Sequence, residues 1–417
     1  MRQAALSQVT LSLSLKGVTL AVQVFQIFLL THLIAEEALA SYFATLSLVV
    51  IVGTFTNSGF TDYAFRLLNR GVSADKIMAR VLQIRLLSLG LGAAVLAGIA
   101  SLQGGSFQLL FWAFVAANLS QLTNVNRQLL IQNKRIPAVI LTEGLQVFAF
   151  VAGLGGMWIA GMTSLTLAQA IGVYVVSFII AFVLSCFVSC SLRLWGRALV
   201  RLVRPGLSIK AVWRSLCRAF PVGVRWSLES VFTNMLVLIS DQFFGSLATV
   251  LFGLYQRIRA VVLSFISVSV SSHMKSFYDA RLGFFQLKKF MGFALGVFAL
   301  FMAGFWVAGF VLSYVQPLIA TIPVLGYLDQ ILPYDIAVSV SFALTYLAVH
   351  LSYAALGANL KASRVYAILI ALAVLPLVVS IGLYTNAGDV FALGLWGFNL
   401  SLSLSALYQG WILLRRP

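Results

Sequence analysis

Five polar residues, Ser12, Lys16, Thr19, Gln23 and Gln26, stand at i, i+4, i+7, i+11 and i+14 in the first apolar stretch, so a helix puts them on one face. A full charge at membrane depth costs several kcal/mol, so Lys16 marks a face lining a wet cavity; the competing account is interhelical hydrogen bonding in a dry bundle. Asn118, Gln121, Asn124 and Gln128 make a similar stripe, with Arg127 close to the inner end of the same segment. Amide side chains suit sugar hydroxyls, and they suit neighbouring helices equally. Arg257 and Arg259 lie well inside a further apolar run and, two residues apart, cannot share a face. One is expected to face a cavity and the other a neighbouring helix or the interface. Arg257 is the first choice for a diphosphate ligand, because a guanidinium binds phosphate in bidentate fashion.

Arg225 and Glu229 follow Pro221 at i and i+4, a spacing suited either to a cavity face or to a structural ion pair. Glu143 and Asp241 are the candidates for binding a coupling proton or sodium ion, with capping or structural roles as the alternative. His32 and His350 are isolated and are expected to be hydrogen-bonded packing residues. Gly292 and Gly296 form a small-xxx-small pair, expected to mark close helix packing. There is no Gly-x-x-x-x-Gly-Lys-[Ser/Thr] loop and no metal-binding set, so no cofactor is expected and ATP is not the direct fuel.

These residues need a membrane scaffold. Of 417 residues, 61% are hydrophobic and only 9% charged, the balance of an all-α polytopic membrane protein. The net charge of +17 would suggest nucleic acid in a soluble protein, but the basic residues sit in short loops between apolar runs, so no nucleic-acid partner is expected. The three cysteines allow no disulfide framework. Twelve segments are long enough to cross a hydrocarbon core of roughly 30 Å, near 10–33, 42–60, 81–102, 108–131, 137–160, 165–191, 220–244, 249–272, 290–316, 333–356, 365–386 and 389–412. Loops on one side carry Arg66, Arg70, Lys76, Arg80, Lys134, Arg135, Lys275, Arg281, Lys288, Lys289, Lys361, Arg364, Arg415 and Arg416. Those on the other carry only Glu36, Glu37, Asp329, Asp335 and Asp389. The positive-inside rule therefore places both termini in the cytoplasm.

The stretch Arg193 to Phe220 holds seven basic residues and no acidic one, with Arg193, Arg197, Arg201 and Arg204 at helical spacing. An amphipathic helix lying flat among lipid headgroups is expected, with a solvated basic loop as the alternative. It divides the chain into an N-terminal six-helix lobe (1–192), a cytoplasmic basic connector (193–219) and a C-terminal six-helix lobe (220–417). A weak internal repeat supports duplication: Tyr42 pairs with Tyr255, and the same register sets Lys16 opposite Glu229. Six spans per lobe is an even number, so the lobes share an orientation and are expected to be related by a pseudo-two-fold along the membrane normal.

Three stretches carry a family resemblance: THLIAEEALASYFATLSLV around the first turn, SGFTDYAFRLLNRG at the end of span two, and SDQFFGSLATVLFGLYQRIR between spans seven and eight. With them the chain resembles the Wzx-type polysaccharide (O-antigen) flippases, in the superfamily that also holds multidrug extruders and the lipid II flippase. Ala40, where the family usually has Gly before the aromatic, is a departure that touches no chemistry. The resemblance implies two six-helix lobes around a cavity opening alternately to each side of the bacterial inner membrane. It implies an undecaprenyl-diphosphate-linked oligosaccharide as substrate and H+ or Na+ as coupling ion. Surrounding lipids and the polysaccharide polymerase and chain-length proteins are the implied partners. The lipid II flippase also carries a functional arginine in span eight. Lys16, Arg225, Arg257 and Arg259 are then expected at the diphosphate, and Gln23, Asn118, Gln121 and Asn124 at the sugars, with Glu229, Glu143 and Asp241 coupling the ion. A cation-coupled multidrug exporter is the alternative, disfavoured by Lys16. A polysaccharide polymerase is a third, disfavoured because the longest outer loop, about 316–332, has only Asp329 as a charge.

Overall fold

The structure is a computed structural model that describes residues 2–57, 67, 72–103, 106–133, 135–203, 209–279, 284–314, 322–357, 361–384 and 389–414. Among them run α1 (Arg2–Leu33), α2 (Glu36–Asn57), α3 (Ala74–Gln103), α4 (Phe107–Gln132), α5 (Ile136–Ile159), α6 (Leu167–Val188), α7 (Leu192–Val203), α8 (Ile209–Phe243), α9 (Ser246–Asp279), α10 (Phe284–Tyr314), α11 (Pro323–Ile331), a 3-10 turn (Leu332–Tyr334), α12 (Asp335–Gly357), α13 (Lys361–Tyr384) and α14 (Val390–Leu414). The twelve long helices, of 22 to 35 residues, coincide with the twelve expected spans. Among the described residues nine stretches are apolar enough over 18 residues to cross a membrane. α4 falls short because of the polar residues picked out in the sequence, and the described side chains of α13 offer the run Val365–Ser380.

Local chemistry sets the turns. Gly161, at φ +83°, closes α5: its N–H reaches the Trp158 carbonyl at 3.0 Å, and the Met162 N–H reaches Met157 at 3.1 Å. Thr166 and Gln169 then cap α6 reciprocally. Cys190 ends α6 in the same way at φ 53°, although it carries a side chain. Its N–H bonds Phe187 at 3.0 Å, and that of Ser191 bonds Cys186 at 2.9 Å.

The chain divides into two compact units, Met1–Ser230 and Val231–Pro417, the boundary falling inside α8. Within the first, α5 packs on α6, α4 on α6, α3 on α4, α2 on α4, α4 on α5 and α2 on α6. The second repeats that scheme with α13 on α14, α12 on α14, α10 on α12, α9 on α12, α12 on α13 and α9 on α14. The tyrosines paired in the sequence repeat both enter cores, Tyr42 at 0% and Tyr255 at 2% exposure. Tyr42 stands edge-on to Tyr174 of α6 with centroids 6.3 Å apart, and Tyr255 edge-on to Phe398 of α14 at 6.1 Å. Each unit thus sets a tyrosine of its second long helix edge-on to an aromatic ring of its sixth.

The basic connector opens as helix α7, part of whose apolar face meets protein while Leu199 and Val200 stay exposed. Trp195 and Ala198 are buried in a cluster with Ile77, Val81 and Ile84 of α3 and Leu129 of α4. Asn126 of α4 ties the helix down, its Oδ1 accepting from Trp195 Nε1 and Ser191 Oγ, both at 2.9 Å. Arg201 pairs with Asp75 of α3 at 2.6 Å. A correction concerns Gly292 and Gly296: among the described residues nothing lies within 4 Å of the place a Cβ would take at either, so the close helix packing expected of them is not found there. His350 is buried, with Nδ1 2.8 Å from the Tyr346 carbonyl, the hydrogen-bonded packing role expected of it, whereas His32 stacks on Phe28 with a buried Nδ1 that has no hydrogen-bond partner among the described residues.

Candidate functional site

The first unit holds a charge cluster assembled from three helices. Lys16 on α1, 4% exposed, donates from Nζ to Glu143 Oε2 on α5 at 2.9 Å. Glu143 Oε1 accepts from Arg127 Nη2 on α4, and Arg127 Nη1 donates to Asn124 Oδ1 at 3.0 Å. A buried lysine needs such a partner, since an isolated ion in an apolar interior is far costlier than a paired one. Two cations share one carboxylate, so the cluster carries one positive charge when all three groups are ionised.

Two cavities lie beside this cluster. One of about 150 Å³ is bordered by Asn124, Arg127, Glu143, Thr142, Ser120 and Gln146. Another of about 220 Å³ is bordered by Arg85, Asn118, Gln121, Ser120, Thr54 and Tyr174. Ser120 and Phe178 border both, so the two cavities are neighbours that share these residues. Arg85, on α3, is 3% exposed. Sequence reasoning did not single it out, although an arginine deep inside an apolar helix is itself the signal. Arg127 was noted only for its place near a helix end.

The site residues expected from sequence are distributed as follows. Lys16, Glu143 and Asn124 come together at Arg127, and Asn118 and Gln121 come together at Arg85. Asn118 is buried, donating from Nδ2 to the Phe114 carbonyl at 3.0 Å and accepting from Ser88 Oγ at 3.4 Å. On the α1 stripe, the Thr19 hydroxyl bonds its own helix at Leu15, 2.8 Å away. The half-buried Gln23 keeps an Oε1 that has no hydrogen-bond partner among the described residues. The Ser12 side chain lies outside the described residues, as does that of Arg225, and with it the expected pairing to the half-buried Glu229. In the second unit Arg257 is half-buried. Arg259 is buried within that unit, its Nε donating to Thr345 Oγ1 of α12 at 3.2 Å and its guanidinium 5.0 Å over the Phe398 ring of α14. Asp241 is exposed near the end of α8.

No protein-family profile and no curated protein matches the chain. Solved structures do. The lipid II flippase MurJ in an inward closed conformation is similar over 97% of this chain and 87% of its own, at TM-score 0.68 and 15% identity. An inward-facing multidrug resistance MATE family transporter of the MOP superfamily is similar over 97% and 98%, at TM-score 0.65 and 14% identity. The eukaryotic MATE transporter AtDTX14 is similar over 99% and 96%, at TM-score 0.58 and 15% identity. The chain has the fold of the MOP-superfamily transporters, twelve long helices in two six-helix lobes, with the apolar helices of a multi-pass membrane protein.

Proposed function

We propose that the protein is a flippase that moves an undecaprenyl-diphosphate-linked oligosaccharide across the bacterial inner membrane, from the cytoplasmic to the periplasmic leaflet, by ion-coupled alternating access. One observation carries this reading: two neighbouring cavities of the first unit are bordered by Arg85 and by Arg127, the second backed by Lys16, with Glu143 as the carboxylate among their described lining residues. A cationic, amide- and hydroxyl-lined interior suits a diphosphate and its sugars, and the prenyl tail can remain in lipid. The fold shared with a lipid II flippase supports it. In this reading lobes 1–192 and 220–417 rock about the connector 193–219, both termini are cytoplasmic, and Arg257 and Arg225 add phosphate ligands from the second half. Glu229, Glu143 and Asp241 are the coupling carboxylates, and H+ or Na+ biases the two states only by binding one of them better.

The fold shared with MATE transporters favours a second reading, a cation-coupled multidrug exporter. The test for both is translocation in proteoliposomes. Flux of a polyprenyl-diphosphate oligosaccharide that depends on a proton or sodium gradient is the expected result. Export of a cationic dye with no flux of a matched lipid-linked sugar would replace the flippase with the exporter.

A further inference from the structure

We propose that α7 is a docking surface for anionic phospholipid: a helix with one side on protein, one in the acyl boundary of the leaflet and one against its headgroups. Successive helical residues turn by about 100°, so the positions along Leu192–Val203 fall into three arcs. Trp195 and Ala198 face α3 and α4. Leu192, Leu199 and Val200 form a second arc and are 46%, 53% and 55% exposed. Arg193, Arg197 and Arg201 form the third, at i, i+4 and i+8. Arg201 is taken by Asp75. Arg193 and Arg197 are exposed, and neither has a carboxylate at ion-pair distance among the described residues. No residue of α7 borders either cavity, so this surface lies outside the candidate site and does not depend on the flippase reading.

The depth of α7 says what covers the two open arcs. Only Ser189, Cys190 and Ser191 separate it from α6, so the helix starts where an expected span ends. It packs on Ile77, Val81 and Ile84 of α3, astride the start of the expected span 81–102, and on Leu129 near the end of the expected span 108–131. That is the level of the headgroups and the first acyl carbons. Water over three neighbouring aliphatic side chains is unfavourable, and acyl chains cover them without that cost. Charge then selects the lipid. From Arg193 to Phe220 the chain has seven basic residues and no acidic one. Arg193 and Arg197, one turn apart, can both donate to the oxygens of a phosphodiester. A zwitterionic headgroup brings its own cation towards them, whereas an anionic one brings none. Trp213, 66% exposed, and the exposed Arg214 beside it stand in the part of α8 before the expected span at 220. They repeat the pairing of an amphipathic ring with a cation that suits a membrane interface.

Two measurements on the purified full-length chain test this. In the first, the chain in zwitterionic detergent is titrated with short-chain phosphatidylglycerol, phosphatidylcholine or soluble glycerol 3-phosphate. Phosphatidylglycerol should bind at least about tenfold tighter than either of the others, and its binding should weaken as salt rises from about 0.1 M to about 0.5 M. Arg193→Gln with Arg197→Gln should remove most of that preference, whereas Arg415→Gln with Arg416→Gln, an equal loss of charge elsewhere in the chain, should keep it. Equal loss from both pairs would show a bulk-charge effect and overturn the proposal. Glycerol 3-phosphate binding as tightly as the lipid would show a plain anion site and overturn it too; the wild-type titration needs no variant to fold. In the second, a spin label at Leu199→Cys, in a chain carrying Cys190→Ser and Cys217→Ser, is read in nanodiscs. It should collide more with oxygen than with a water-soluble nickel chelate, and the ratio should rise when phosphatidylglycerol replaces phosphatidylcholine. A label that meets the nickel chelate freely in phosphatidylglycerol puts this face in water and sinks the idea. A label shielded from both reagents puts a second copy of the chain on it, with the same consequence.

Discussion

At the residue scale the chemistry rests on how charges in an apolar interior are compensated. Lys16→Ala leaves Glu143 with Arg127 alone and an empty space behind it. The expected loss is about 2 kcal/mol of stability, read as a lower unfolding midpoint in detergent. Adding Glu143→Gln should deepen that loss, because the glutamine takes the carboxylate from Arg127 as well and leaves that cation uncompensated. A double mutant more stable than Lys16→Ala would show that Arg127 does not need the carboxylate. Arg257→Ala should abolish oligosaccharide flux while elution profile and melting stay as in the wild type; wild-type flux would remove Arg257 from the site. Lys16, Asn124 and Glu143 were each visible in the sequence as polar intrusions into apolar runs. That they are partners was not, since Lys16 and Glu143 stand 127 positions apart and helical periodicity gives a face but not the neighbour it meets.

At the element scale two kinds of device hold the first unit. Caps are legible locally: Gly161 adopts φ +83°, which an L side chain rarely takes, so Gly161→Ala should cost about 1 kcal/mol. Cys190→Gly should raise the melting temperature for the converse reason, since Cys190 bears a side chain at φ 53°. Buried polar hubs are not legible in this way. Asn126 lies off the Asn118–Gln121–Asn124–Gln128 stripe and is 0% exposed, and it binds Ser191 and Trp195 while donating from Nδ2 to Ser185 Oγ at 2.8 Å. Asn126→Ala should cost about 2 kcal/mol and free α7, seen as faster tryptic cleavage at Arg193 and Arg197; unchanged cleavage would show that Trp195 packing alone holds the connector. The amphipathic pattern of α7 was plain in the sequence. Its partner was not, because a buried tryptophan face fits a lipid surface and a protein groove equally well.

At the scale of the whole molecule, an even number of spans puts both ends of the chain and the connector on one side of the membrane. A membrane-impermeant maleimide applied to inside-out vesicles should label Cys190 and Cys217, which are exposed, and spare the buried Cys186. Labelling from the outside instead would invert the topology. The internal duplication, faint in the sequence, is clear in the structure because packing repeats where residues do not. Two units with few identities still pair their helices in the same order and seat Tyr42 and Tyr255 on corresponding helices.

The sequence by itself determined the number, length and alternation of the spans. A bilayer core of about 30 Å tests each segment separately, and loop charge tests each turn separately, so both signals are local and additive. Tertiary structure decided which intramembrane charges meet, that Arg85 and Arg127 border two neighbouring cavities with the span-four amides, and that α7 folds onto α3 and α4. Those outcomes depend on the rotation of each helix about its own axis, which is set by packing against neighbours distant in the chain.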